Sequence, residues 1–146
     1  MEHHHGPPPG TPLCHLFVYG TLRAGQPNSP RLGGATLLGP GRTNGRLAYL
    51  GKYPGLCEGK GFVQGDVYEL PIAALARIDE LEGYDESDHD GSLFLRVRRI
   101  ATLDTGSNLD CWTYTWPHHC DQWIDSGDWI DFLGRTRAGQ PPVPWL

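Results

Sequence analysis

The sequence predicts an α+β domain: a mixed, mainly antiparallel sheet closed into a small barrel, with one principal helix packed against it. Three observations carry that expectation. Short apolar runs rich in aromatic and β-branched residues recur along the chain between clusters of turn formers. Twenty glycines in 146 residues suit tight turns and bends between many short strands. Only one segment, Pro71 to Glu82, places its apolar residues at helical spacing.

Taken in order, MEHHHGPPPGTP reads as a flexible leader, without the basic start, apolar centre and cleavage site of a secretory signal. Residues 1–12 are therefore expected outside the fold, 13–138 as a single domain and 139–146 as a frayed tail. His15 to Tyr19 is a first, buried strand that ends at Gly20. The turn formers from Gly25 to Pro30 follow, and Ser29 with Pro30 suits a brief helical turn toward Leu32. Strands are expected at Ala35 to Leu38, Arg46 to Leu50 and Phe62 to Leu70, with glycine-rich breaks at Gly39 to Gly45 and Gly51 to Gly61. The helix starts with Pro71 in its first turn, carries Ile72, Leu75, Ile78 and Leu81 on one side, and stops at Gly83. Two further strands, Phe94 to Leu103 and Asp110 to Trp116, join through the turn-rich stretch Asp104 to Asn108.

A chain of 146 residues can bury one substantial core and is too short for two comfortable ones. Its longest apolar stretches fall far below the run of about 20 residues that a spanning helix needs. No membrane association is expected. A net charge of −5 leaves no basic stripe for phosphate neutralisation, so nucleic acid is not an expected partner. Arg96, Arg98 and Arg99 form the one compact basic cluster and read as a solvated sheet face. Cys14, Cys57, Cys111 and Cys120 lack any C-x-x-C pair or finger spacing and read as ordinary thiols in a reducing cytoplasm. His118 and His119 are adjacent, a poor ligand geometry, and the acidic run Glu86 to Gly91 has Val97 where a calcium loop needs its bidentate acid. Neither a metal nor another cofactor is expected. No G-x-S-x-G motif supports hydrolase chemistry. The tryptophans of the C-terminal stretch, Trp123, Trp129 and Trp145, carry too much apolar surface to stay in water. The stretch from Trp123 to Phe132 is expected to pack over the barrel near a pocket mouth.

Glu82 is the candidate of most interest. At 100° per residue, Leu75, Ile78 and Glu82 project within about 60° of one another, which puts the carboxylate on the apolar stripe. Asp79 falls toward the edge and Glu80 on the solvent side. An apolar surround disfavours the ionised form and raises the pKa toward the range useful for moving a proton at neutral pH. The competing reading is a glutamate at a fraying helix end that reaches into water. The second candidate is Tyr19-Gly20-Thr21-Leu22, where a strand gives way to a glycine-opened loop whose N–H groups can hold a carboxylate or polarise a carbonyl.

VYGTLRAG at Val18 to Gly25, KYPGL at Lys52 to Leu56, GDVYEL at Gly65 to Leu70, IDELEGYD at Ile78 to Asp85 and FLRV at Phe94 to Val97 occur together in this order. Together they resemble the γ-glutamylcyclotransferase-like family, especially its small γ-glutamylaminecyclotransferase branch, from about residue 15 to 116. The resemblance implies a cofactor-free enzyme of the transferase or lyase kind that converts a γ-glutamyl amine or peptide to 5-oxoproline and the free amine. It places the catalytic glutamate on Glu82 and the substrate-binding residues on Tyr19, Gly20, Thr21 and Leu22. Tyr53, Phe94 and Tyr114 are added as expected substrate-binding residues. The family's aromatic-x-Arg is commonly begun by tyrosine; here it is Phe94-Leu95-Arg96, so that phenolic hydroxyl is absent. The stretch from Glu86 to Ser92 is long and acidic, and is expected to reshape the pocket mouth. The expected partner is a small γ-glutamyl molecule, and the expected state a monomer or small homo-oligomer. Two other readings remain open at this point: a non-catalytic module that binds a small ligand in the same pocket, and an interaction protein that docks through its tryptophan-rich tail.

Overall fold

The computed structural model describes residues 9–137. The expectations for residues 1–8 and 138–146, including the frayed end, lie outside the described residues.

Five strands close a ring. Strand β1 (Leu13–Val18) lies antiparallel to β3 (Pro54–Pro71), which pairs antiparallel with β2 (Thr36–Tyr49). Strand β2 meets β4 (Leu95–Leu103), β4 runs antiparallel to β5 (Asn108–Thr115), and β5 returns parallel to β1 through Leu16 and Trp112. The barrel is therefore mixed and mainly antiparallel, as the composition suggested. A two-residue strand β6 (Trp123–Ile124) hangs on the outer end of β2.

The glycines act differently from their expected role as breaks. Strand β2 runs unbroken through Gly39, Gly41 and Gly45, with register shifts between Leu37 and Gly39 and between Asn44 and Arg46. A Cβ on Gly41 would stand 2.6 Å from the Thr102 carbonyl oxygen, so this glycine admits close approach of β4 where the ring closes. Bulges and missing side chains bend two long strands around a small barrel, where separate short strands were expected.

Alternation along β1 sorts the core into two clusters. Phe17 joins Leu47, Leu56, Val63, Val67, Ala101 and Cys111 inside the ring. Leu16 and Val18 face outward, with Tyr68, Leu70 and Tyr114, to cover Ile78 of helix α1 (Leu75–Glu82). The helix begins later than the sequence suggested: Pro71 ends β3, and a 3₁₀ turn over Ile72–Ala74 intervenes. Pro12 is not outside the fold, because its carbonyl accepts the Ile72 N–H at 3.1 Å.

A second helix, α2 (Trp129–Arg137), was not expected. Its Trp129 is buried in the barrel cluster, and Tyr49 meets Phe132 with ring centroids 5.3 Å apart. The C-terminal tryptophan segment does pack on the barrel. No residue of 121–137 lines the candidate pocket, however, so the expected place at its mouth is corrected. The apolar faces of Trp129 and Phe132 are spent on Tyr49 and the ring interior instead. No helix among the described residues is long and apolar enough to cross a membrane.

Candidate active site

Helix α1 ends in a fixed geometry. Gly83 takes φ +69°, its N–H reaches the Glu80 carbonyl, and the Tyr84 N–H reaches the Asp79 carbonyl at 2.8 Å. This is the 6→1 and 5→2 pairing of a Schellman stop, which needs a left-handed residue at that point. A Cβ on Gly83 would also come within 2.9 Å of the Leu93 Cβ. The last residue before this stop is Glu82, so the carboxylate does not sit on a fraying end.

Glu82 opens into a cavity of about 240 Å³ bounded by the end of β1, the loop after it, the start of β3 and the entry to β4. All eight residues singled out from the sequence line it: Tyr19, Gly20, Thr21, Leu22, Tyr53, Glu82, Phe94 and Tyr114. Glu82 is the sole charged residue of that lining. Among the described residues its carboxylate has no hydrogen bond or ion pair, and burial alone pushes its pKa up from 4.5 to about 7. An unpaired carboxylate in an apolar wall is set to exchange a proton near neutrality.

On the facing wall, Gly20, Thr21 and Leu22 leave the ladder. None of their three N–H groups donates to a protein acceptor among the described residues, whereas the Thr21 carbonyl and hydroxyl are held by the Asn28 N–H and side-chain amide, both at 2.9 Å. The Gly20 and Thr21 carbonyls are tied back and the three donors are left over. Gly20 is required by proximity: a Cβ there would stand 2.8 Å from the Pro54 ring, itself part of the cavity wall.

The two cavity tyrosines have their protons committed elsewhere. Tyr19 donates to the Tyr114 carbonyl at 2.7 Å, and Tyr114 donates to Asp79 Oδ1 at 2.6 Å. Desolvation, and for Tyr114 the Asp79 carboxylate as well, raise both phenols far above their ordinary range. Both stay neutral.

Arg96 completes this layer and corrects the reading of a solvated basic face. Its Nε donates to Asp79 Oδ1 at 2.8 Å, the two side chains being 13 % and 16 % exposed, and the guanidinium stands 4.5 Å from the Trp112 ring centroid. Arg98 does face solvent, paired with Asp110. The pairing of Asp79 with Arg96 and Tyr114 was invisible in sequence, because β4, β5 and α1 bring it together from three separate places. The acidic stretch from Glu86 to Ser92 does not line the cavity; Ser92 folds it on itself by accepting the Asp85 N–H at 2.9 Å, and only Leu93, bonded to the Gly83 carbonyl, reaches the wall. The four cysteines form no disulfide, and among the described residues no three potential ligands gather for a metal.

Residues 16–131 match the family described as gamma-glutamyl cyclotransferase, AIG2-like. The chain belongs to that family. It is 33 % identical over 125 residues to a putative gamma-glutamylcyclotransferase of Methanocaldococcus jannaschii, covering 82 % of this chain and 98 % of that one. It is 37 % identical over 119 residues to the gamma-glutamylcyclotransferase family protein YtfP of Escherichia coli K12, covering 80 % and 96 %. The gamma-L-glutamyl-butirosin B gamma-glutamyl cyclotransferase of Niallia circulans is 37 % identical over 131 residues, covering 87 % and 82 %. Among solved structures, an uncharacterized protein from Pyrococcus horikoshii superposes with TM-score 0.67 at 26 % identity, covering 88 % of this chain and 99 % of that one. An AIG2-like protein of Mus musculus gives 0.61 at 27 %, covering 77 % and 82 %.

Proposed function

We propose that this chain is a γ-glutamylcyclotransferase that converts a γ-glutamyl amine or peptide to 5-oxoproline and the free amine, with Glu82 as general acid and base. The observation that carries this reading is the unpaired Glu82 carboxylate, with a pKa of about 7, set across one small cavity from three uncommitted backbone N–H groups.

The reaction is an internal aminolysis. The substrate's α-nitrogen bonds to its own γ-carbonyl carbon, and the bond from that carbon to the leaving nitrogen then breaks. Of the three protons on the α-ammonium, one stays on the lactam nitrogen and two go to the departing amine, which leaves as an ammonium. Glu82 is the carrier of both in turn: it takes one proton from the α-ammonium before attack and gives it to the leaving nitrogen as the carbon–nitrogen bond opens, then passes the second from the ring nitrogen to the departing amine, a role worth about 10²–10⁴-fold. The Tyr114 hydroxyl, its proton committed to Asp79, offers its oxygen as an acceptor to the ammonium end on its side of the cavity. The N–H groups of Gly20, Thr21 and Leu22 suit the opposite charge, that of the tetrahedral oxyanion or the substrate carboxylate. Because ring closure is intramolecular, holding the chain folded can supply about 7–11 kcal/mol. The steps above call on side chains and backbone alone.

The test is incubation of purified protein with γ-glutamyl-ε-lysine, simple γ-glutamyl amino acids, γ-glutamyl alkylamides and glutathione, with direct assay of 5-oxoproline. Release from at least one of them is expected. Tight binding without release would instead favour a binding module that uses the same pocket.

A further inference from the structure

The loop that carries the three N–H groups is closed on itself by one side chain. Asp66 of β3 lies opposite Val18 in the ladder, at the entry to the loop, and its Oδ2 accepts the Ala24 N–H at 3.0 Å at the exit. Arg23 lies between them in the same cluster. Its Nε stands 3.5 Å from the same Asp66 oxygen, and both side chains are only 9 % exposed. A second carboxylate comes from far along the chain. Asp128 Oδ1 receives Arg23 Nη1 at 3.0 Å, and the same oxygen caps α2 by accepting the Ile130 and Asp131 N–H groups at 3.0 and 3.1 Å. The contact is therefore shared between the substrate loop and the start of the C-terminal helix. Beneath it, Tyr19 belongs to the same buried cluster as Trp129.

We propose that Asp128 and Arg23 are positioning residues: the C-terminal helix, which contributes nothing to the cavity wall, sets the aim of the Gly20 to Leu22 N–H groups through this pair. Three features support it. A buried guanidinium held by a single carboxylate would be under-paired, and Arg23 Nε already lacks a hydrogen bond, so Asp128 supplies the better-formed contact. The loop has no strand partner of its own between Val18 and the clamp; its middle is tied within the loop itself, by Arg23 N–H on the Gly20 carbonyl and by Asn28 on Thr21, so its placement against the barrel depends on its two ends. An oxyanion site works only when its donors are held in place before reaction. Neither residue of the pair lines the candidate cavity; the pair acts through the loop backbone. The kinetic part of this inference rests on the cyclotransferase reading, while the structural part does not.

Asp128 has two duties, and they can be separated. Serine keeps an N-cap acceptor for α2 but is too short and uncharged to hold Arg23; asparagine keeps both the cap and an acceptor toward Arg23. The experiment compares wild type, Asp128→Ser and Asp128→Asn by melting temperature, by amide hydrogen exchange and by 5-oxoproline kinetics. In Asp128→Ser we expect a melting temperature close to wild type, exchange about tenfold faster at the hydrogen-bonded amides of Arg23 and Ala24 but not in β4 or β5, and kcat lowered about tenfold or more. Asp128→Asn should recover most of both. Wild-type exchange in the loop of a folded Asp128→Ser would overturn the proposal, as would faster exchange with unchanged kinetics. If wild type itself releases no 5-oxoproline from any compound, the cyclotransferase reading falls, and the exchange measurement alone decides whether Asp128 holds the loop.

Discussion

Replacing Glu82 with glutamine should make the protein more stable at neutral pH, by an amount that depends on pH in a defined way. Burial raises the folded-state pKa from an ordinary 4.5 to about 7, so between those values the folded state holds a proton that the unfolded chain has released. Stability then falls as pH rises across this window, because the unfolded state binds fewer protons than the native one. Below 4.5 the carboxyl is neutral in both states and costs nothing by this route; above about 7 it is ionised in both, and the whole cost is present. At about 1.4 kcal/mol per pKa unit the displacement amounts to about 3 kcal/mol. Glutamine has the same shape and no charge to bury, so Glu82→Gln should match wild type near pH 4.5 and exceed it by about 2–3 kcal/mol at pH 8. Urea unfolding of both proteins at several pH values between 4.5 and 8 measures this directly. A stability difference that does not change with pH would refute the claim that the cavity desolvates this carboxylate.

The same site gives three further expectations. Gly83→Ala must adopt φ +69° and bring a Cβ to within 2.9 Å of Leu93; we expect a loss of about 1–3 kcal/mol in urea unfolding, together with a raised KM because Leu93 is cavity wall. Tyr114→Phe removes the donor to Asp79 and the acceptor proposed for the substrate ammonium, so kcat/KM should fall about tenfold or more while Arg96 keeps its bond to Asp79; unchanged kinetics would place the Tyr114 hydroxyl outside the reaction. Trp129→Ala should cost about 3–5 kcal/mol, since that ring is fully packed in the barrel cluster, and an unchanged melting temperature would show that α2 is not part of the core.

Local pattern made some of this readable and non-local geometry hid the rest. Glu82 was legible because a helix has a fixed angular step: with Leu75 and Ile78 known to be inside, the side of the glutamate follows. The Gly83 stop was legible for the same reason. The eight cavity residues come from five separate segments, and it was the order of the motifs, rather than any one of them, that tied four of those segments to a single site. Asp79 misled because its angle puts it at the edge of the stripe, where a carboxylate is usually solvated, while its true environment is made by Tyr114 and Arg96 on strands that sequence cannot position. The glycines of β2 misled in another way. Composition cannot tell a glycine that ends a strand from one that lets a strand bend or lets β4 approach. Helix α2 was missed because its nine residues, Trp129–Arg137, include Gly134 and three charged side chains, so its apolar face is only Trp129, Phe132 and Leu133. Its anchor is the cap made by Asp128, whose other partner is more than a hundred residues away.

The central claim is that Glu82 carries the proton in an internal aminolysis. It is tested most directly by following 5-oxoproline from the best γ-glutamyl compound of the panel with wild type and Glu82→Gln side by side, while measuring the affinity of each for that compound. The account predicts release by wild type with a rate that rises with pH through about 7. It predicts loss of at least about a hundredfold in Glu82→Gln with binding largely retained. Release by Glu82→Gln within tenfold of wild type would contradict it.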